Sequence, residues 1–287
     1  MRTNRPSYTT DELMVVAMSR QVQNGDVVGL GLATPMATIA AFLARQTHAP
    51  NATIILSGAV QPKTHNVALS MVNPVMLASI SCGFLPHTVT MDMAERGVYS
   101  LQFLRPAQVD AEGNMNTSLI GSQQRPKLRL PGGLATGDVT LFMRRIVLYQ
   151  PNHDLRNFPV QVDYKTGIGH PEQGRWRRRM KISGGGPTKI ITDLCTLAFD
   201  TEADCFAVES LHPGISPSTV KERTGFELAW PTHASETEPP NERQLTWLRN
   251  TIDPYAVRRL EFKEHRQEVL KRLDDLQRRN NHGQSEK

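Results

Sequence analysis

The chain has 287 residues, 39% apolar and 21% charged, with a formal net charge of +5. That is enough for one large α/β domain or two small ones and a proper buried core, and the composition is that of a soluble globular protein. No uncharged apolar run approaches the ~20 residues of a membrane span. The polar, acidic start MRTNRPSYTTDEL is not a signal peptide, and the distant Cys82, Cys195 and Cys205, with no CxxC, argue against a disulfide framework and suit the cytoplasm.

Thr9 and Glu12 stand at capping-box spacing, with Leu13, Val16 and Ala17 on one helical face, so a helix is predicted over 9–22. NGD (24–26) is a turn. VVGLGL (27–32) is a short uncharged apolar run that suits a buried parallel strand. A helix over 36–49 with Pro35 near its start and a second buried strand, ATIILSG (52–58), follow. This alternation predicts an α/β fold with an open, mainly parallel sheet and flanking helices. Further strands are expected over 140–150, 160–167, 189–200 and 204–212. A capped short helix is expected over 216–226 and another over 244–252, stopped by Asp253-Pro254. From 255 the chain is strongly charged, with a narrow apolar stripe of Val269, Leu270, Leu273 and Leu276 that suits a peripheral helix against a neighbour. The organisation expected is one domain over 1–258, then a charged C-terminal helix and a disordered tail over 259–287.

Few motifs carry chemistry by themselves. GLGLAT (29–34) lacks the third glycine of a dinucleotide fingerprint, and no acidic residue follows about 20 positions on. The histidines show no metal-ligand spacing, so no metal is expected, and no GxSxG elbow presents a nucleophile. RWRRRMK (175–181) is open to two readings: a solvated basic loop or subunit contact, or a phosphate-binding run. One such run is a poor footprint for nucleic acid. QVDAEGNMNTSLIG (108–121) reads first as a hairpin, because Gly113-Asn114 accepts positive φ cheaply.

The same stretch resembles the QVD…GN.N signature of the β subunit of family I CoA-transferases, the glutaconate type. NGDVVGLGLATPMATIAAFLAR (24–45) is similar to that family's N-terminal glycine loop and crossover helix. GPTKIITDLCTLAFD (186–200) and LHPGISPSTVKERTGFEL (211–228) resemble its closing segments. The match runs in order from about 10 to 255. The resemblance implies the family's open α/β fold, a homologous α-subunit partner in an α2β2 heteromer, and an acyl-CoA site between the subunits. CoA is then part of the substrate, and no other cofactor, nucleic acid or membrane is implied. Gln108, Asn114 and Asn116 would meet the thioester and pantetheine amides, or alternatively cap their own turn. Ser57, Gly58, Gly132 and Gly133 complete the implied binding set.

Two departures qualify the resemblance. The family's catalytic glutamate, which carries CoA as a glutamyl thioester, falls at Leu56/Ser57 here, and no Asp or Glu occurs between Asp26 and Asp92. Catalytic residues in this chain are therefore unassigned. The glycine turn the family writes like GSGGA reads PGGLATGD (131–138), with Leu134 and Ala135 in place of glycines. A chain of this type without its glutamate is similar to a branch of heteromeric hydrolases that open a ring of a CoA thioester in bacterial steroid degradation by retro-Claisen cleavage, for which a base in the α subunit suffices. Three functions stay open: that hydrolase, a CoA-transferase whose glutamate comes from elsewhere (Glu95 being the nearest acid after Asp92) or from the partner, and a non-catalytic subunit that completes the complex.

Overall fold

The computed structural model describes residues 8–31, 34–62, 79–172, 174–182, 184–203 and 205–284. Helix α1 (Thr10–Ser19) starts at Thr9, whose N–H donates to Glu12 Oε2 at 2.9 Å in the expected capping box. Strand β1 (Val27–Leu30), helix α2 (Pro35–Thr47) and strand β2 (Thr53–Leu56) follow as the pattern predicts. Ahead of the central strand β5 (Leu101–Leu104) come short strands β3 (Ala59–Val60) and β4 (Gly83–Phe84) and helix α3 (His87–Glu95).

Parallel pairs join β2 to β1, β1 to β5, β5 to β10 (Ile146–Gln150) and β10 to β11 (Pro187–Thr192). Antiparallel strands extend both ends: β3 and β4 beyond β2, and β12 (Cys195–Asp200) and β13 (Cys205–Leu211) beyond β11. A short parallel strand β14 (Ser235–Glu236) closes a ten-stranded sheet. The open, mainly parallel sheet is as expected.

The central strands of the sheet are buried on both faces, and side-chain alternation shows it, whereas the edge strands β4 and β14 are exposed. Along β10, Val147 and Tyr149 enter one core with α1 and α2, while Ile146 and Leu148 enter the other. Full burial of each such aliphatic side chain contributes about 1.5–3 kcal/mol.

The 140–150 run is not one strand. Residues Thr136–Phe142 form helix α4, and β10 begins only at Ile146. A short apolar run cannot by itself separate a buried strand from a helix turn. The 189–200 run is two antiparallel strands, because Thr192 Oγ1 accepts from Leu194 N and Cys195 N at 3.1 Å each and turns the chain without glycine or proline. Residues 160–167 form no strand; they run alongside the 108–116 hairpin. Helix α5 (Arg175–Arg179) replaces the expected basic loop. Helix α6 (Pro217–Arg223) is capped by Ser216 as predicted, and α7 (Glu242–Trp247) continues into a π-helical turn over Leu248–Ile252.

The C-terminal side is tied into the main core beyond residue 258. Phe262 packs with α1 and α2. Arg258 pairs with Asp11 (2.5 Å), Asp253 (2.8 Å) and Glu12 (3.3 Å) in a buried cluster. Burial pushes the Glu12 carboxyl up, but hydrogen bonds from Arg249 and Thr9 N and the charge of Arg258 outweigh it and hold it at about 2. The last helix, α8 (Arg266–Gln284), takes in residues 280–284, which the sequence pattern assigns to the tail; 285–287 lie outside the described residues. Val269 is buried and Leu270 exposed on this helix.

Candidate functional site

The β2–β3 connection is a two-residue turn with positive φ at both Ser57 (49°) and Gly58 (90°), the geometry that favours glycine or asparagine. Ser57 holds it without either, at a cost of order 1 kcal/mol. A Cβ on Gly58 would lie 2.5 Å from Leu85 O, so packing against the β4 side already explains this glycine. Ser57 is half-buried, and its hydroxyl has no hydrogen-bond partner among the described residues. Glu95 lies exposed at the end of α3.

The QVD…GN.N stretch is a hairpin, as expected. Strands β6 (Gln108–Val109) and β7 (Met115–Asn116) pair Gln108 with Asn116. Asn116 is 0% exposed, and both its donors and its oxygen are committed. Its Nδ2 donates to Gln108 Oε1 (2.7 Å) and Leu119 O (2.6 Å), and its Oδ1 accepts from Ser118 N (2.9 Å). Asn114 Nδ2 donates to Asp110 (3.1 Å) and Glu112 (2.8 Å), and its Oδ1 accepts from Gly169 N (3.1 Å). Gln108 binds both the N–H and the carboxylate of Asp163. Burial pushes the Asp110 carboxyl up, although it accepts from the backbone and side chain of Asn114. These amides brace the hairpin against 162–169. Asn114 and Asn116 have no free donor for a thioester, so the turn-capping alternative is the one their geometry fits.

The glycine turn lies next to this network. Gly132 N donates to Thr117 O (2.9 Å), and Thr117 N and Ser118 Oγ both bond Thr166 Oγ1. Gly132 has φ 101° with nothing within 4 Å of a Cβ, whereas a Cβ on Gly133 would meet Thr166 Cγ2 at 2.9 Å. Leu134, in a position the family gives to glycine, has φ 43° and is 93% exposed. The N–H groups of Gly133, Leu134 and Ala135 have no acceptor among the described residues. A small pocket of about 170 Å³ lies between the start of α4 and 165–168, lined by Gly137, Thr140, Leu141 and Lys165 among others. No described contact joins Ser57 to this region. The structure therefore brings Gln108, Asn114, Asn116, Gly132 and Gly133 together around 162–169, and places Ser57 and Gly58 apart from them.

Of RWRRRMK, Arg177 is buried and donates to four backbone carbonyls, those of Gly169, Gly184, Thr140 and Ile168, at 2.7–3.0 Å. Burial lowers its pKa to about 10, so it stays charged at neutral pH. It is an internal clasp rather than a phosphate ligand. Arg179 pairs with Glu172 at the surface.

Two groups that resemble catalytic machinery are structural. Cys195 Sγ lies 3.8 Å from His153 Nδ1, but burial pushes the thiol up to about 12 and the imidazole down to about 3. A neutral thiol beside a neutral imidazole is not a nucleophile. Glu261 accepts from Met36 N at the start of α2 (2.8 Å) and from Tyr149 OH (3.1 Å), with Arg105 Nε at 3.0 Å. Burial, offset in part by Arg105, brings its pKa to about 7. The helix N-terminus that follows GLGLAT, where a dinucleotide phosphate would sit in a Rossmann fold, is occupied by this carboxylate.

Sequence reasoning missed a second hairpin, β8 (Leu119–Gly121) with β9 (Pro126–Arg129), which leads into the glycine turn. The basic–apolar alternation in RPKLRL was the available signal. It also missed Asp163, Thr166 and Gly169, whose roles are set by contacts about fifty residues away in sequence.

The chain matches the family description Coenzyme A transferase over residues 12–223. It is similar to the β subunit of the 3-oxoadipate CoA-transferase of Pseudomonas knackmussii, 33% identical over 245 residues, covering 85% of this chain and 93% of that protein. It is also similar to the cholesterol ring-cleaving hydrolase IpdB subunit of Mycobacterium tuberculosis, 26% identical over 262 residues, covering 89% and 99%. Among solved structures, the decarboxylase AibA/AibB aligns with a TM-score of 0.76 at 29% identity, covering 87% of this chain and 97% of that one.

Proposed function

The chain belongs to the coenzyme A transferase family, and within it we propose that it is the β subunit of a heteromer that acts on acyl-CoA by hydrolysis. The reaction is the opening of a carbon–carbon bond in a cyclic, steroid-derived acyl group. One observation carries this reading: the β2–β3 turn is Leu56-Ser57-Gly58, and no carboxylate occurs between Asp26 and Asp92 to form a glutamyl–CoA thioester. The Ser57 hydroxyl has no described partner to activate it. The ring-cleaving relative supports a hydrolytic role for a chain of this length and fold.

In such a cleavage, water adds to a ring ketone β to the thioester. The C–C bond then breaks, its electron pair passes to the α-carbon as a thioester enolate, and protonation there completes the step. This chain's part is to hold the developing enolate oxygen and keep the acyl group oriented. The unengaged N–H groups of Gly133, Leu134 and Ala135 suit that oxygen, since backbone donors need no reorganisation. Gly132 leaves an open approach. The base belongs to the α subunit.

Transferase chemistry is the second reading, favoured by the higher identity to a CoA-transferase chain. The deciding experiment incubates the purified heteromer with acyl-CoA and a free carboxylate, with borohydride present in a parallel sample. The hydrolytic reading expects no CoA exchange and no borohydride inactivation. Robust exchange, or inactivation dependent on acyl-CoA, overturns it. Retention of full activity by the partner alone would instead make this chain a structural subunit.

A further inference from the structure

Strand β9 lies between the 122–125 turn and the glycine turn, and its charges are one-sided. Arg125, Lys127 and Arg129 are exposed, and no acidic side chain pairs with any of them among the described residues. Lys127 and Arg129 flank Leu128 on the exposed strand, Lys127 at the irregularity where Gly121 pairs with Pro126, and Arg125 stands just before the strand. From 122 to 137 the sequence contains no Asp or Glu. The other basic run offers no such stripe, because Arg177 is spent on carbonyls and Arg179 on Glu172.

We infer that Arg125, Lys127 and Arg129 form the subsite for the phosphates of the CoA nucleotide, an assignment that rests on the acyl-CoA reading above. Continuity in the chain carries it. The strand runs from the cations directly into Gly132 and Gly133, where the thioester end would be held. At ~3.3 Å per extended residue, Arg129 lies roughly 10 Å and Arg125 roughly 23 Å of chain from Gly132. This is the order of length of an extended pantetheine arm. Guanidinium and ammonium groups without intramolecular acids bind phosphate oxygens without first breaking an ion pair. Exposure also lets the stripe draw a polyanion toward the turn.

The test measures binding of CoA, 3′-dephospho-CoA and pantetheine to the wild-type heteromer and to one carrying R125Q, K127Q and R129Q. The wild type should bind CoA more tightly than dephospho-CoA, and both more tightly than pantetheine, with the CoA advantage shrinking as salt rises. The triple variant should lose about tenfold in CoA affinity, the scale of a few exposed charge contacts, while pantetheine binding stays unchanged. An unchanged CoA-to-pantetheine ratio overturns the subsite. So does failure of the triple variant to assemble with its α partner, which would make the stripe a subunit contact. A wild-type heteromer that binds neither CoA nor pantetheine refutes the acyl-CoA reading itself.

Discussion

In the 110–116 turn, the polar side chains that resemble a ligand signature are bonded to one another and to 162–169, and Asn116 is wholly inaccessible. In the adjacent 131–135 turn, the amides of Gly133, Leu134 and Ala135 are unengaged among the described residues, a Cβ on Gly132 would meet open space, and Leu134 is 93% exposed at positive φ. The first turn is closed and the second open. A motif can therefore mark a scaffold that positions a site rather than the groups that touch the ligand. The start of α2 makes the same point: the helix N-terminus, a position that suits an anion, is taken by the chain's own Glu261.

Breaking the closed region should cost the most. Arg177→Ala removes the donor from four carbonyls, three of them buried and that of Ile168 part-buried, and releases 168–169 from α4; a loss of about 4 kcal/mol is expected in urea unfolding of the heteromer. Arg177→Lys should rescue little of it, because one ammonium cannot reproduce the fork. Asn116→Ala should cost about 3 kcal/mol, since it removes the Nδ2 donor of Leu119 O, one of the two donors of Gln108 Oε1 (Asp163 N–H being the other) and the acceptor of Ser118 N. The KM of whatever complex still folds should stay near wild type. A variant of full stability with KM raised would return Asn116 to the ligand.

Glu261 gives a pH test of the closed α2 terminus. Its folded pKa of about 7 lies above the unfolded carboxyl value. Its contribution to stability is therefore fully present below about pH 4 and is lost as pH rises through 7. His153 and His212, lowered by burial to about 3 and about 4, act oppositely: their contribution is present above about 6.5 and lost as pH falls. In Glu261→Gln the decline between pH 5 and 8 should shrink by about 2 kcal/mol relative to wild type. An unchanged pH slope would mean that Glu261 is ionised in the fold. The smallest effect is expected in the open turn. Leu134→Gly relieves a positive φ and removes no packing, so stability should rise by about 1 kcal/mol or stay level. A fall of more than about 2 kcal/mol would show that the leucine is covered in the complex.

Much of this fold was legible in the sequence because its signals are local: the Thr9–Glu12 box, the apolar runs of β1 and β2, Pro35 at the head of α2 and the Ser216 cap. The errors came where tertiary contacts decide. VQVDYKTG alternates like a strand, yet Val160 is exposed, Val162 is buried, and Asp163 and Thr166 bond hairpin side chains. The Thr192 turn hides inside an apolar run because a hydroxyl makes it. At the candidate site, the sequence identified the segments through their family resemblance. Which amides were already satisfied depended on partners such as Asp163 and Gly169, distant in sequence.

The division between closed and open turns is tested most directly by amide hydrogen exchange on the assembled heteromer with and without CoA. CoA is predicted to slow exchange at the unengaged amides of Gly133, Leu134 and Ala135 and to leave 108–116 unchanged, because the amides of that hairpin are already bonded. Slowed exchange confined to 108–116, with residues 133–135 indifferent to CoA, would contradict it.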